Sequence, residues 1–182
     1  MNVAYDRSVS AADHELLPES VWNIRLPELR FGRDATAELP YQLHDLGVPG
    51  DAHGLVVTDE TLVNVGHAGR VRDVLVDAGF DVDVYDDSER EPSIEAVESC
   101  IEFVRDEQGA DGYDFYVGLG GGSCMDTAKV TRSVLANGGR PLDYIAEPTG
   151  DGQPLETSGD PLILMPTTAG TGATSGTPPR RW

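Results

Sequence analysis

The residues best suited to chemistry lie in the segment FYVGLGGGSCMDTAKV, positions 115–130, where an apolar run ends in glycines and a helical pattern follows. Three consecutive glycines, Gly120, Gly121 and Gly122, let a ligand approach the backbone without meeting a side chain. A helix beginning near Ser123 would add unpaired N–H groups and about half a positive charge. The segment therefore predicts an anion site of the kind that binds pyrophosphate. The alternative is a tight strand-to-helix turn without a ligand.

Three polar side chains follow these glycines. Ser123 stands where a helix N-cap belongs, and Asp126, three residues later, would complete an arrangement like a capping box. Lys129 is the only lysine of the chain and falls on the same helix face as Asp126. It either tunes the phosphate site, or holds Asp126 in place, or forms a surface pair worth a few tenths of a kcal/mol.

Two further strand ends carry polar residues. PTTAGTG follows the apolar run LILM and supplies the hydroxyls of Thr167, Thr168 and Thr171, which suit phosphate or sugar contacts, although a Thr-rich loop without a ligand is the alternative. Asp59 ends the run GLVVTDE, where a carboxylate can accept from ribose hydroxyls and repel a 2′-phosphate. Asp59 can also cap the helix predicted over 61–79.

Strand and helix patterns alternate along the chain, which predicts a parallel sheet covered on both faces. In such a sheet ligands bind outside the carboxyl ends of the strands. The predicted strands are 54–60, 80–87, 113–122 (which ends in the glycine turn) and 161–166, with strand-like material over 20–32. The predicted helices are 33–47, 61–79 (weakened around Gly66 and Gly69), 91–109 and 123–139, and 141–160 is predicted to be rich in loop.

The composition is strongly acidic. Asp and Glu number 32 against 13 Lys and Arg, so the net charge of −19 argues against binding to nucleic acid or to an anionic membrane. The acids are scattered, and twelve of the thirteen basic residues are Arg. These features predict a halophilic protein, because concentrated salt shortens the Debye length to about 3 Å and screens self-repulsion.

The two cysteines, Cys100 and Cys124, have no metal-type spacing and are predicted to be free thiols. The N-terminal residues contain no apolar leader, and no apolar run approaches the ~18 residues of a membrane span. We therefore expect a soluble, cytoplasmic protein.

The motifs GGGSCMDTAK and PTTAGTG, with TDE upstream, resemble the iron-containing (group III) alcohol dehydrogenases. WNIRLPELRFG, REPSIEAVE and LDYIAEPTGDGQPL extend the resemblance, which is greatest to the hydroxyacid–oxoacid transhydrogenase branch. The resemblance implies a Rossmann-like, open α/β sheet that binds NAD(H), and hydride transfer to or from a small alcohol, aldehyde or hydroxy acid. It implies that Asp59 contacts the adenosine ribose. It also implies that the glycines Gly120, Gly121 and Gly122, together with Ser123, hold the diphosphate, with Asp126 nearby. It implies that Thr167, Thr168 and Thr171 line the phosphate and nicotinamide side of the cofactor.

The resemblance also implies Fe²⁺ as a Lewis acid, held by one Asp and three His of a C-terminal helical domain that these 182 residues do not reach. We therefore assign no metal ligand and no catalytic residue, and none of His14, His44, His53 and His67 is taken as a ligand. The expected organisation is a flexible arm (1–19), a nucleotide-binding domain (20–174) and an aberrant tail (175–182).

We predict a truncated or frame-shifted chain that binds NAD but is inactive alone. The alternatives are a natural short chain, a non-functional product, and a stand-alone nucleotide-binding module that needs a partner subunit. Oligomeric state is left open, and a homo-oligomer formed through an exposed apolar face is one prospect.

Overall fold

A four-stranded parallel sheet forms the centre of the part of the chain described by the computed structural model, residues 28–91, 93–108 and 112–174. Its strands are β1 (His53–Val57), β2 (Asp81–Tyr85), β3 (Phe115–Gly120) and β4 (Leu162–Pro166), in the order β2-β1-β3-β4. Each neighbouring pair is parallel, so all four carboxyl ends lie at one edge. Because β1 has β2 on one side and β3 on the other, the topological switch point falls between β1 and β3.

The strands form where they do because both faces of the sheet are buried. Leu55 and Val57 of β1 pack into one hydrophobic cluster, while Val56 between them packs into another. All six residues of β3 are buried. A strand covered on both faces reads as a continuous apolar run, which is the pattern of the sequence here. Each fully buried Val or Leu contributes about 1.5–3 kcal/mol.

Helices cover the two faces. Leu39, Leu43, Val71 and Leu75 pack against one face and Cys100, Val104 and Ala128 against the other. The predicted fold, an open parallel α/β sheet with helices on both faces, is confirmed. The helices are α1 (Leu39–Asp45), α2 (Glu60–Asn64), α3 (His67–Asp77), α4 (Ile94–Gln108), α5 (Gly122–Asn137) and α6 (Pro141–Tyr144), with a 3-10 turn (Ala35–Glu38) before α1.

Three local predictions need correction. The helix predicted over 61–79, with weak points around Gly66 and Gly69, is interrupted at the first of them and forms two helices, because Gly66 has a left-handed φ of 84° and serves as the N-cap of α3. The segment 141–160, predicted to be rich in loop, also contains the short helix α6. Of the strand predicted over 20–32, residues 28–32 form no strand, and residues 20–27 lie outside the described residues.

None of the helices in the described ranges is both long enough and apolar enough to cross a membrane.

Candidate nucleotide site

A cleft of about 370 Å³ opens at the carboxyl edge of the sheet. Segments that follow β1, β2 and β3 contribute its walls, so the cleft spans the topological switch point. This is the place where open α/β sheets bind ligands. The lining residues are Asp59, Glu60, Thr61, Asp86, Asp87, Ser88, Glu89, Arg90, Gly121, Ser123 and Cys124.

The glycine turn leads from β3 directly into α5. Gly120 ends the strand with a φ of 146°, Gly121 is the N-cap, and the 16-residue helix begins at Gly122. No side chain in the described part of the chain caps α5. The first-turn N–H groups and the positive end of the helix dipole are thus available to an anion.

Ser123 was predicted to be the N-cap, and this is wrong. The N-cap is Gly121, two residues earlier, so Ser123 lies within the first turn and its hydroxyl donates to the backbone carbonyl of Arg90. The capping-box arrangement with Asp126 does not form either, because the Asp126 carboxylate pairs with Lys129 at 2.7 Å. Ser123 therefore joins the segment after β2 to the start of α5.

Asp59 is the N-cap of α2, as one of its two predicted roles requires. Its Oδ1 accepts from the backbone N–H of Leu62 at 2.9 Å, and its Oδ2 accepts from the thiol of Cys124 at 3.5 Å. The second bond joins the end of β1 to the start of α5 across the switch point. Asp59 and the glycine turn, far apart in sequence, therefore lie on one cleft.

The segment after β2 was missed as a contributor to the site. An isolated bridge pairs Asp59 with Asp87, and the N–H of Ser88 donates to the carbonyl of Thr58 at 3.2 Å. These bonds hold the segment against the end of β1. The signal was present in the sequence, because Asp86 and Asp87 end the strand predicted over 80–87 and the strand-end rule applies to them equally.

The cleft is electronegative. Five carboxylates line it, against one cation, Arg90. These carboxylates repel any ligand group with a high negative charge unless backbone N–H groups or salt offset the repulsion. The lining carboxylates are Asp59, Glu60, Asp86, Asp87 and Glu89.

The threonine loop (residues 166–174) lies beside the glycine turn (residues 120–122). The N–H of Thr167 donates to the carbonyl of Gly120 at 2.9 Å. A Cβ placed on Gly121 would lie 3.7 Å from Thr168 Oγ1, and one on Gly122 would lie 3.3 Å from the Cβ of Thr171. None of these three threonines lines the 370 Å³ cleft. Thr167 instead borders a second hollow of about 270 Å³, together with His67 and Arg70.

Lys129 fastens the end of the threonine loop to α5. Its Nζ donates to the carbonyl of Ala173 at 2.7 Å and pairs with Asp126 Oδ1 at 2.7 Å. The side chain is only 18 % exposed. Lys129 thus holds Asp126, which was one of the alternatives drawn from the sequence. Neither residue lines the cleft.

Both cysteines are free thiols, as predicted, and both are buried. Burial and, to a smaller extent, the neighbouring Asp59 carboxylate together raise the pKa of Cys124 to about 11. Burial likewise raises the pKa of Cys100 to about 12. At neutral pH each thiol keeps its proton, so neither is a nucleophile.

Among the described residues no three His, Cys, Asp or Glu side chains come together in a way that could hold a metal ion. The arrangement at the carboxyl edge instead offers what a nucleotide needs: backbone N–H groups for phosphate and a carboxylate for sugar hydroxyls.

Comparisons with known proteins agree with this geometry. The family model for "Iron-containing alcohol dehydrogenase" matches residues 27–177. A long-chain-alcohol dehydrogenase of Geobacillus thermodenitrificans is 40 % identical over 155 residues, which cover 85 % of this chain and 37 % of the relative. The mitochondrial hydroxyacid-oxoacid transhydrogenase of Xenopus tropicalis is 33 % identical over 85 % of this chain and 32 % of its own length.

A solved structure shares the fold. Sulfoacetaldehyde reductase from Bifidobacterium kashiwanohense, in complex with NAD⁺, superposes with a TM-score of 0.69 and 29 % identity over 84 % of this chain and 38 % of that one. The chain spans about a third of the length of the curated relatives named here. The match of the family model over most of the sequence confirms the resemblance: this chain belongs to the iron-containing alcohol dehydrogenase family.

Proposed function

We propose that this chain is the nucleotide-binding part of an NAD-dependent alcohol dehydrogenase. The whole protein would transfer hydride between NAD(H) and a small alcohol, aldehyde or hydroxy acid. The observation that carries the proposal is the meeting of Asp59 and the start of α5 on one cleft at the switch point of the sheet. Residues 20–174 would form the binding domain.

The diphosphate would lie against the glycine turn. A Cβ on Gly121 would meet only Thr168 Oγ1, at 3.7 Å, so the space over this backbone is otherwise open for a phosphate. The N–H groups at Gly122 and Ser123 point out of the first turn of a long helix, and their dipole offsets the negative charge of the ligand. Gly120 contributes the left-handed φ that turns the chain from strand to helix.

The adenosine ribose would lie at Asp59. An ionised carboxylate has about four lone-pair positions. Two of them accept from Leu62 N–H and the Cys124 thiol, which leaves two for a ribose diol. Asp86 and Asp87 line the same cleft, so a 2′-phosphate would meet three carboxylates. This argues for NAD over NADP more strongly than Asp59 alone does.

The threonine loop would serve the other end of the cofactor. Thr168 and Thr171 lie next to Gly121 and Gly122, and neither lines the acidic cleft. Their hydroxyls suit the second phosphate and the nicotinamide side, together with Thr167. Asp126 would act indirectly, by holding Lys129 and thereby the end of the loop.

Iron, which the family description names, finds no set of ligands among the described residues. We assign none of them to a metal and derive no step through it. The inactivity of the chain alone stays a prediction, as do its truncation, its halophilic character and its cytoplasmic location, and the oligomeric state stays open.

Isothermal titration of the 182-residue chain with NAD, ADP-ribose and NADP in concentrated KCl tests the proposal. NAD and ADP-ribose should bind with similar affinity, because the proposed contacts lie in the ADP-ribose part. NADP should bind at least about 10-fold more weakly, since each lost or repulsive contact to a charged group costs about 1.5–3 kcal/mol. Absence of heat with all three ligands would contradict the proposal, and equal affinities for NAD and NADP would contradict the role of the carboxylates.

A further inference from the structure

Cys124 makes the one side-chain hydrogen bond seen, within the described residues, between the first turn of α5 and Asp59. Its Sγ lies 3.5 Å from Asp59 Oδ2, a distance suited to a thiol donor. The proposed contacts of the cofactor use the backbone of α5 and the carboxylate of Asp59, and they leave this sulfur without a role.

The position of the Cys124 sulfur depends on the glycine at position 120, the last residue of β3. A Cβ on Gly120 would lie 2.6 Å from Cys124 Sγ and 2.9 Å from its Cβ, so the sulfur occupies the space that any other residue at 120 would fill. Cys124 is only 2 % exposed, although it borders the cleft. The side chain is therefore held between the glycine turn and Asp59.

The sulfur acts as a donor at physiological pH. Burial and the adjacent Asp59 raise its pKa to about 11, while the N–H of Gly121 and the hydroxyl of Ser88 lower it to a smaller extent. A protonated thiol beside a carboxylate has one favourable arrangement, in which S–H points to the oxygen. A thiolate there would instead repel Asp59.

We propose that Cys124 is a positioning residue for the cofactor: its thiol fixes the Asp59 carboxylate in the orientation that receives the adenosine ribose. The inference rests on the proposed function. Leu62 N–H holds one carboxylate oxygen and Cys124 S–H holds the other, so the plane of the carboxylate is set and its remaining lone pairs face the cleft. Preorganisation of this kind raises affinity because less freedom is lost on binding.

The test compares ADP with 2′-deoxy-ADP, which lacks the 2′-hydroxyl, one of the two ribose hydroxyls proposed to donate to Asp59. The variants are Cys124→Ala, which removes the donor, and Cys124→Ser, which keeps a donor on a slightly shorter bond. Cys100→Ala is the matched control, because Cys100 is a fully buried thiol on the core-facing side of α4 and does not line the cleft. Each dissociation constant is measured by titration well below the melting temperature of the variant.

Cys124→Ala should weaken ADP binding by about 3- to 10-fold, the range of a modest hydrogen bond, and should weaken 2′-deoxy-ADP binding by a smaller factor, because only the 3′-hydroxyl remains to donate to Asp59. Cys124→Ser should recover most of the ADP affinity, and Cys100→Ala should leave both ligands unchanged.

Equal losses of ADP and 2′-deoxy-ADP affinity in Cys124→Ala would overturn the inference, because the sulfur would then support the turn and not the ribose contact. Unchanged ADP affinity in Cys124→Ala would overturn it as well, while the proposed function would stand. If the unsubstituted chain bound neither nucleotide, the proposed function and this inference would both be overturned.

Discussion

The two edges of the sheet both carry carboxylates, yet they differ in what those carboxylates contact. At the amino edge, Asp83 accepts from Tyr113 Oη at 2.7 Å and contacts His53 Nε2 at 3.0 Å. Asp114 accepts from the backbone N–H of His53 at 2.8 Å. These acids have donors from the protein itself, and their role is to join β1, β2 and the start of β3.

At the carboxyl edge the carboxylates outnumber the donors. Five acids line the cleft with one arginine, and the helix behind them has no side-chain cap in the described part of the chain. The first-turn N–H groups of α5, which no described side chain caps, thus lie near carboxylates, of which Asp59 and Glu89 already accept hydrogen bonds and keep further lone pairs. A dinucleotide supplies partners for both, since its diphosphate accepts and its ribose donates. If the carboxyl edge binds the dinucleotide as proposed, the two edges differ in hydrogen bonds left unmade by the protein and not in residue type.

The largest expected effect is a loss of stability when a residue of the amino edge is overpacked. Gly54→Ala at the amino edge should lower the free energy of unfolding by about 3 kcal/mol, because the new Cβ would lie 2.1 Å from the ring of fully buried Phe115. Denaturant unfolding measures the change. Gly69→Ala in α3 is the control, since nothing lies within 4 Å of its added Cβ, and it should equal or exceed the parent in stability. A Gly54→Ala variant as stable as the parent would show that the amino edge tolerates overpacking.

The next largest effect is a loss of NAD affinity when a carboxylate of the carboxyl edge is removed. Asp59→Asn should weaken NAD binding by about 10- to 100-fold and narrow the preference for NAD over NADP, because the ribose loses a charged acceptor. Asparagine caps helices about as well as aspartate, so α2 should persist. Titration calorimetry measures both ligands.

Asp83→Asn is the matched change at the amino edge. It should leave NAD affinity within about 2-fold, since Asp83 contacts Tyr113 and His53 and not the cleft. Equal losses in the two variants would erase the distinction between the edges.

A smaller effect concerns the glycine turn. Gly121→Ala should weaken NAD binding by about 10-fold, because a methyl group would occupy the space proposed for the diphosphate. The free energy of unfolding of the Gly121→Ala variant should hardly change, since φ at Gly121 is −71° and the added Cβ meets only Thr168 Oγ1, at 3.7 Å. Gly50→Ala, with nothing within 4 Å of its added Cβ, serves as the control for both measurements. Retained affinity in Gly121→Ala would place the phosphates elsewhere.

The smallest effect concerns the threonine loop. Lys129→Met should cost about 1 kcal/mol of stability, because the variant loses the hydrogen bond to Ala173 and leaves Asp126 without its cation. A broad-specificity protease should then cut within 166–174 faster than in the parent, as mass spectrometry of the fragments would show. Arg105→Met, which removes an exposed cation of α4, controls for the loss of charge. An unchanged cleavage pattern would mean that Lys129 does not hold the loop.

Much of the fold was predictable because it depends on local patterns. The buried strands read as apolar runs, and the turn from β3 into α5 lies where the glycines placed it. The N-cap was missed by two residues, since Gly121 takes the role that the type of Ser123 suggested. Ser123 is instead drawn to the carbonyl of Arg90, which lies 33 residues away and which no local pattern reveals.

The site was predictable only in part, for the same reason. Asp59 and the glycine turn follow strands that the sequence identifies, but their meeting depends on the strand order. The bridge between Asp59 and Asp87 and the thiol bond of Cys124 are long-range contacts that no spacing rule reports. The acidic residues Asp86 and Asp87, which follow β2, could have been assigned to the site by applying the strand-end rule to that strand too.

The most direct measurement of the central claim is the change in backbone amide chemical shifts when ADP-ribose is added to the ¹⁵N-labelled chain. The account predicts that the largest changes fall at Gly121, Gly122 and Ser123, with a second group around Asp59. If those amides stayed unchanged while residues of the amino edge such as Asp83 moved, or if no amide moved at all, the start of α5 would not be the diphosphate site.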